Sequence, residues 1–330
     1  MEILSPSDEN LRRAGECLAR GGLVALPTET VYGLGADAFN ARAVARVFEA
    51  KSRPSFDPLI VHVATVEGVD RVAVVPNKKA RLLMESLWPG PLTLIMPRRP
   101  EVPDIVTSGL DTVAMRLPSH PVARAIIAYS GTAIAAPSAN PFGYLSPTTA
   151  RHVAEGLGER VDFIVDGGPC AVGVESTVLD MTVDPPHILR PGGMPAEAIE
   201  AVVGPVDRSP AAEAASVAKA SPGLLKSHYA PRTPLYLVKS GAMASARPRG
   251  KAAALLIGPA SASSFAVTEG RFALTRYLST TGNLVEAAAG LFAALHELDA
   301  GGFGQIWAES AGERGLGPAI NDRLFKASKK

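Results

Sequence analysis

Two hydrophobic periodicities alternate along the chain. Leu11, Ala14 and Leu18 line one face of a predicted helix that Ser7 caps, Asp8 and Glu9 open and Gly21-Gly22 stop. LVAL (23–26) reads as a short buried strand, and a second helix carries Val44, Val47 and Phe48 to its end at Lys51. Between them, PTETVYGLG (27–35) reads as a polar turn with hydroxyls, glycines and free backbone N–H groups. Apolar runs predict further strands at PLIVHVA (58–64), PLTLIM (91–96), VAMRL (113–117), TAIAA (132–136), VDFIV (161–165) and VESTVLDM (174–181). Helices are expected over 77–88, 120–130 and 147–157, the last with Ser146 as N-cap and Pro147 at its first position. Several strands follow one another without a helix between. The pattern therefore predicts an α/β fold, with helices packed on a twisted open sheet of mixed direction.

Between residues 206 and 233 both periodicities fade into an Ala-, Ser- and Pro-rich stretch, the mark of a linker. After Pro234 a new cycle begins with PLYLV, AAALLIG and FALTRYL, then a long helix over roughly 281–300 (Leu284, Ala288, Leu291, Leu295, Leu298), QIWAES and a terminal helix. That order predicts a small Rossmann-like α/β domain, without the GxGxxG that would argue for a dinucleotide. The expected organisation is a first domain over 1–205, a linker over 206–233 and a second domain over 234–330.

Composition narrows the class. The chain has 330 residues, 47% hydrophobic and 20% charged, and no apolar run approaches the roughly 18 residues of a membrane span. The start, MEILSPSDENLRR, lacks a basic n-region followed by an apolar h-region, so a cytoplasmic protein without membrane partners is expected. Cys17 and Cys170 stand alone, outside any zinc or redox spacing, and read as small buried hydrophobes. Net charge is +1, but 1–205 hold 18 Lys and Arg against 23 Asp and Glu, whereas 206–330 hold 15 against 9. A nucleic-acid module usually carries a basic surplus where it binds, which counts against the first part.

The candidate chemistry lies at the ends of apolar elements. No GxxxxGK[ST] is present, so any phosphate must be met by scattered side chains, for which Lys51, Arg53, Arg116 and Arg190 are the candidates. Lys51 and Arg53 equally suit a helix C-terminal dipole. Arg116 sits inside a strand, where a cation is costly unless it is paired or faces an aqueous cleft. His62 shares a strand face with Ile60 and Ala64, opposite Leu59, Val61 and Val63, and could be a satisfied core residue. APSANPFG (136–143) follows a buried strand, so Ser138 and Asn140 stand at the ligand edge of an open sheet or in an Asn-Pro turn.

In order along the chain, PTETVYGLG, KSRPSFDPLIVH, AMRLP, APSAN, SPT, VESTV, ILRPG and SPGLLKSHYAP resemble the YrdC-like threonylcarbamoyl-adenylate synthases. The linker, the second domain and the closing GLGPAINDRLFKA resemble the long, two-domain form of that family. The resemblance implies an ATP-dependent nucleotidyltransferase. It would make L-threonylcarbamoyladenylate from L-threonine, bicarbonate and ATP, release diphosphate, and supply a downstream tRNA threonylcarbamoyl transferase that modifies adenosine 37 of ANN-decoding tRNAs.

It further implies Thr30, His62, Arg116 and Ser176 on the threonine side, with Arg116 holding the amino-acid carboxylate. On the nucleotide side it implies Lys51, Arg53, Asp57, Thr112, the backbone at Ala136, Ser138, Ser146, Arg190 and Tyr229, with Lys51 and Arg53 meeting the phosphates as the catalytic cations. Asp57 departs from the family, where Asn is frequent. Mg²⁺ is implied with ATP, without a nameable protein ligand. SPGLLKSHYAP is expected to fold back as a lid bringing Tyr229 to the nucleotide, since excluding water protects a mixed anhydride. Two rivals remain: a non-catalytic double-stranded RNA or tRNA-binding module, with the +6 balance beyond residue 205 permitting tRNA contact, and a carbamoyltransferase of hydrogenase maturation, for which the chain lacks the length and the cysteines.

Overall fold

The computed structural model describes residues 1–54, 57–209, 228–259 and 270–329. Most of the expected linker, and SPGLLKS of the expected lid, lie outside the described residues. The chain divides into two compact units. Unit 1 comprises Met1–Phe142, Pro147–Ala171 and Glu175–Leu224, and unit 2 comprises Gly143–Ser146, Val172–Val174 and Leu225–Lys330.

The strands of unit 1 are β1 (Glu2–Leu4), β2 (Val24–Leu26), β3 (Gly33–Asp37), β4 (Ile60–His62), β5 (Leu92–Pro97), β6 (Thr112–Arg116), β7 (Ile134–Ala135), β8 (Phe163–Val165), β9 (Thr177–Asp180) and β10 (His187–Arg190). They form one sheet in the order β1-β8-β2-β3-β7-β4-β6-β5-β9-β10. Parallel pairs (β4 with β6, β5 with β9) alternate with antiparallel ones (β5 with β6, β3 with β7), giving the mixed direction expected from strands that lack intervening helices.

The helices are α1 (Asp8–Ala19), α2 (Ala41–Lys51), α3 (Lys78–Leu87), α4 (Asp104–Thr107), α5 (Pro121–Ser130), α6 (Ala150–Leu157) and α7 (Ala196–Val203). Local chemistry sets their ends. Ser7 Oγ accepts the Asn10 N–H at the start of α1, and Asn40 Oδ1 accepts from Arg42 and Ala43 at the start of α2. α2 stops at Lys51, where Ser52 turns left-handed (φ 53°) two residues before Pro54.

Strand alternation separates the two faces of the sheet. Val61, Leu94, Met96, Val113, Met115 and Leu179 join the main core, with Val44, Val47 and Phe48 of α2 and Leu83 and Met84 of α3. On the other face of the same strands, Ile60, Ile95, Ala114, Val178 and Leu189 make a small apolar floor. The polar side chains of the site stand beside that floor, because residues two apart on a strand share a face.

Sequence expectations fail at several places in unit 1. PTETVYGLG is a turn only as far as Tyr32; Gly33–Asp37 is a strand paired with both β2 and β7. Gly35 serves close packing there, since a Cβ would sit 2.9 Å from both Ile134 Cγ2 and Leu26 Cδ2. The cap of α6 is Thr149, whose hydroxyl accepts the His152 N–H, and not Ser146, because the Pro147 carbonyl accepts the Tyr32 N–H (2.9 Å) ahead of the helix. β1, α4 and β10 carry too few apolar residues in series to register as elements, and α7 (AEAIEAVV) is an apolar stretch too short for its period to declare it a helix.

Unit 2 holds β11 (Leu235–Val238), β12 (Ala252–Leu256), β13 (Leu274–Tyr277) and β14 (Gln305–Glu309), all parallel, in the order β11-β14-β12-β13. Its long helix α8 (Leu284–Ala300) is capped by Asn283 and buries Ala288, Leu291, Leu295 and Leu298, as its periodicity predicts; α9 (Gly317–Ala327) closes the chain. The Rossmann-like expectation agrees with this parallel α/β sheet.

Candidate active site

Sheet register assembles the first half of the site in unit 1. His62 pairs with Arg116 across β4 and β6, and Ile95 pairs with Ala114 across β5 and β6. Thr93 therefore shares the face of Ile95, and its hydroxyl lies 2.7 Å from Ser176 Oγ. Arg190 of β10 donates to the Ser176 carbonyl from Nη2 (2.9 Å) and Nε (3.2 Å) and also reaches Ser176 Oγ (3.3 Å). Gly192 then presses against Ser176, which joins ILRPG physically to VESTV.

Arg116 is the hub. It is 3% exposed and donates from Nε to the Gly90 carbonyl (3.2 Å) and from Nη1 to Thr30 Oγ1 (2.9 Å), while Nη2 lies 2.7 Å from Glu29 Oε1. The Thr-Glu-Thr turn is held by Thr28, whose hydroxyl donates to the Val31 carbonyl (2.6 Å) and accepts the Thr30 and Val31 N–H groups. The Tyr32 and Leu34 N–H groups go to the Pro147 and Pro137 carbonyls. The turn's N–H groups are thus used internally, and it is no backbone cradle for phosphate.

The Arg116–Glu29 ion pair is buried, with the Glu29 and Ser119 N–H groups also bonding the carboxylate, and the His62 ring is buried beside it. Burial, then the Arg116 charge, pushes His62 down to about 3, so its ring is neutral at ordinary pH. Burial alone would raise Glu29, but the Arg116 guanidinium outweighs it and holds the carboxyl below its usual range.

The second cluster surrounds Lys51. Its ammonium, 1% exposed, donates to the Ser138 and Asn140 carbonyls (2.5 Å each) and to Asn140 Oδ1 (3.3 Å). Three donors meet three oxygens, and the APSAN loop is fastened to the end of α2. Burial, then the neighbouring Arg53 charge, pushes Lys51 well down. Arg53 reaches the Asp57 and Pro58 carbonyls and forms a 2.9 Å ion pair with Asp57 Oδ2. Burial raises Asp57 despite Arg53, Lys51 and Arg190, so its carboxyl stands within the fields of three cations. Thr112 opens β6 on the face of Arg116, four residues away, so about 13 Å of strand separates them.

The comparisons with known proteins extend over the same ground. Residues 16–192 match the Sua5, YciO and YrdC family profile, described under telomere recombination, and residues 194–329 match the threonylcarbamoyl-AMP synthase C-terminal domain. The threonylcarbamoyl-AMP synthase of Pyrococcus abyssi is 43% identical over 96% of this chain and 94% of its own length. That of Bacillus subtilis is 42% identical over 98% and 94%. The crystal structure of P. abyssi Sua5 complexed with L-threonine superposes with a TM-score of 0.88 at 41% identity, covering 99% of this chain and 98% of that one.

The chain belongs to the threonylcarbamoyl-AMP synthase family.

Membership accounts for the motif order that the sequence displays, and full-length relatives of one name leave the RNA-binding module unfavoured. Of the residues assigned by resemblance to the threonine side, Thr30 and Arg116 are hydrogen-bonded to each other, Ser176 is hydrogen-bonded separately to Thr93 and Arg190, and His62 stands beside Arg116 in register. On the nucleotide side, Lys51, Arg53, Asp57, Ser138 and Arg190 share one electrostatic neighbourhood, and the Ala136 N–H donates to the Ile60 carbonyl (2.9 Å). Ser146 and Tyr229 belong to unit 2, where the Tyr229 ring packs against His228, Phe292 and Arg323.

Sequence reasoning missed Glu29 and Thr93. Glu29 lies within the predicted polar turn, and a carboxylate flanked by two hydroxyls is its signal. Thr93 is the lone hydroxyl on the face of Ile95 within PLTLIM. Among the described residues no three His, Cys, Asp or Glu side chains converge as a metal site, and no helix is long and apolar enough to cross a membrane.

Proposed function

We propose that this chain converts L-threonine, bicarbonate and ATP into L-threonylcarbamoyladenylate and diphosphate in the cytoplasm, for transfer onto tRNA by a separate enzyme. One observation carries the reading beyond family membership. A neutral histidine, the buried Arg116–Glu29 ion pair and the Thr30 hydroxyl converge in unit 1, and they offer the charge and hydrogen-bonding groups that a small polar ligand such as threonine requires. The P. abyssi relative's structure with L-threonine supports the same ligand.

The chemistry asks for alignment and charge neutralisation. Threonine's amine combines with bicarbonate, losing water, to give an N-carboxylate; one oxygen of that group attacks the α-phosphorus of ATP, and diphosphate leaves. Arg116 takes the threonine carboxylate, and Thr30, Ser176 and neutral His62 orient the rest. Arg53, Arg190, Thr112, Ser138, Ser146 and Tyr229 are proposed on the nucleotide side. Lys51 acts there by fixing the Ser138–Asn140 loop and by its field.

Asp57 partly neutralises Arg53, so its carboxylate in place of the family's frequent Asn tunes a cation rather than meeting phosphate. Mg²⁺ enters as the counterion of ATP, since the cation-rich surroundings of Asp57 do not suit a resident metal. The test is diphosphate release measured with each substrate omitted in turn. Release must require threonine, bicarbonate and ATP together, and release that is independent of threonine defeats the proposal.

A further inference from the structure

Helix α8 carries a second stripe beside its apolar one. Ala288, Leu291, Leu295 and Leu298 form the buried stripe that its periodicity predicts, and Ala289, Phe292, His296 and Asp299 run next to it at the same three- and four-residue spacing. Each member of the second stripe meets a segment that leads to a residue of the proposed site. Gly173, three residues before Ser176, comes so close that a Cβ there would lie 2.5 Å from Ala289 Cα, and Phe292 packs on the Tyr229 ring (5.6 Å). His296 and Asp299 hold the segment that ends at Ser146. Gly143–Ser146 and Val172–Val174 are the two stretches before residue 205 that belong to unit 2.

Residues 143–146 lie outside any helix or strand, so their course is set by the groups that grip them and not by a ladder of their own. The Gly143 carbonyl accepts the Ala230 N–H (2.8 Å), and the Tyr144 hydroxyl donates to Asp299 Oδ2 (2.6 Å) while its ring stands edge-on to His296 (5.6 Å). The Ser146 carbonyl meets His296 Nε2 (3.2 Å); a carbonyl only accepts, so this bond requires the proton on Nε2. Asp299 Oδ1 accepts the Thr233 N–H (2.7 Å), which ties the chain after Tyr229 to the same carboxylate. His296 and Asp299, three residues apart on one helix face, therefore fasten the segments of both Ser146 and Tyr229, the two nucleotide-side residues that unit 2 holds.

We infer that His296 and Asp299 are positioning residues for ATP, acting through Ser146 and the segment of Tyr229, so that α8 gives unit 2 a part in the reaction. The inference rests on the proposed function and adds to it two residues that serve the nucleotide and not the amino acid.

The test uses the full chain, with KM for ATP and for threonine taken from diphosphate release and ATP affinity measured by calorimetry. His296→Ala is expected to raise KM for ATP about fivefold, the scale of one lost neutral hydrogen bond, to weaken ATP binding equally, and to leave KM for threonine within about twofold. His296→Gln, whose amide N–H can donate to the same carbonyl, is expected to return both ATP readouts to within about twofold of wild type. Tyr144→Phe keeps the ring and removes the hydroxyl held by Asp299, so it should weaken ATP in the same direction and decides the question if His296→Ala fails to fold.

An equal rise in both KM values would mark a merely structural role and overturn the inference. So would ATP affinity unchanged within about twofold in His296→Ala and Tyr144→Phe, or a Gln variant no better than the Ala one. Wild-type protein that releases no diphosphate with all three substrates present would overturn the proposed function instead, and calorimetric ATP binding by the same variants would still decide the positioning role.

Discussion

His62 makes a sharp prediction, because its ring is buried in a sheet beside a guanidinium. With a native value of about 3 and an ordinary value of 6.5, the unfolded chain takes up a proton at this residue over a range in which the native protein does not. The sign follows directly: the contribution is fully present above pH 6.5 and is lost progressively as pH falls toward 3. Each unit in that window costs about 1.4 kcal/mol, so lowering the pH from 7 to 5 costs about 2 kcal/mol through this group alone.

The measurement is urea unfolding of the wild-type protein and of His62→Gln at both pH values, which subtracts His120 and the other titrating groups. The wild type should lose about 2 kcal/mol more than the variant. NMR of histidine-labelled protein should show one imidazole, absent from the variant, that stays neutral at pH 5. An equal loss of stability in both proteins, or a His62 ring that titrates near 6.5, would refute the argument from burial.

Two further outcomes follow from packing and hydrogen bonding. In Gly192→Ala, the new Cβ would lie 2.3 Å from Ser176 C and Thr177 N, both backbone atoms that cannot swing aside. The variant should lose about 3 kcal/mol in urea unfolding and bind threonine more weakly, since the start of β9 must shift; unchanged threonine affinity would show that Ser176 does not depend on this contact. In unit 2, Asp299 accepts the Thr233 N–H (2.7 Å) and the Tyr144 hydroxyl (2.6 Å), and these bonds outweigh the burial that would otherwise raise its carboxyl. Asp299→Ala should speed hydrogen exchange at Thr233 by an amount corresponding to about 2 kcal/mol. The wild-type bond should weaken only as pH falls below the ordinary carboxylate range, and equal protection in both proteins would show the bonds to be dispensable.

Much of the site is written in local patterns. Alternation in PLIVHVA and VAMRL places His62 and Arg116 opposite their strands' core residues, and the cap chemistry of Ser7 and the periodicity of 284–298 suffice to define two helices. Those signals survive because strand and helix periods are properties of a few consecutive residues. Glycine misled the reading at PTETVYGLG, since a residue without a side chain serves a turn and a crowded central strand equally well, and only the neighbours Ile134 and Leu26 distinguish the two.

The tertiary structure alone decided which of these elements meet. β6 lies between β4 and β5, and β9 and β10 follow β5, so residues 62, 93, 116, 176 and 190 gather on one sheet face, where Thr30 of the turn meets Arg116, although they are spread over most of unit 1. The same packing turned Lys51 from an exposed helix-end cation into the fastening of a loop, and turned Glu29 from turn chemistry into the partner of Arg116. Residue identity and local period are carried by the chain itself; partner and burial depend on sheet order, which arises from the simultaneous packing of distant segments and leaves no trace in any single stretch of sequence.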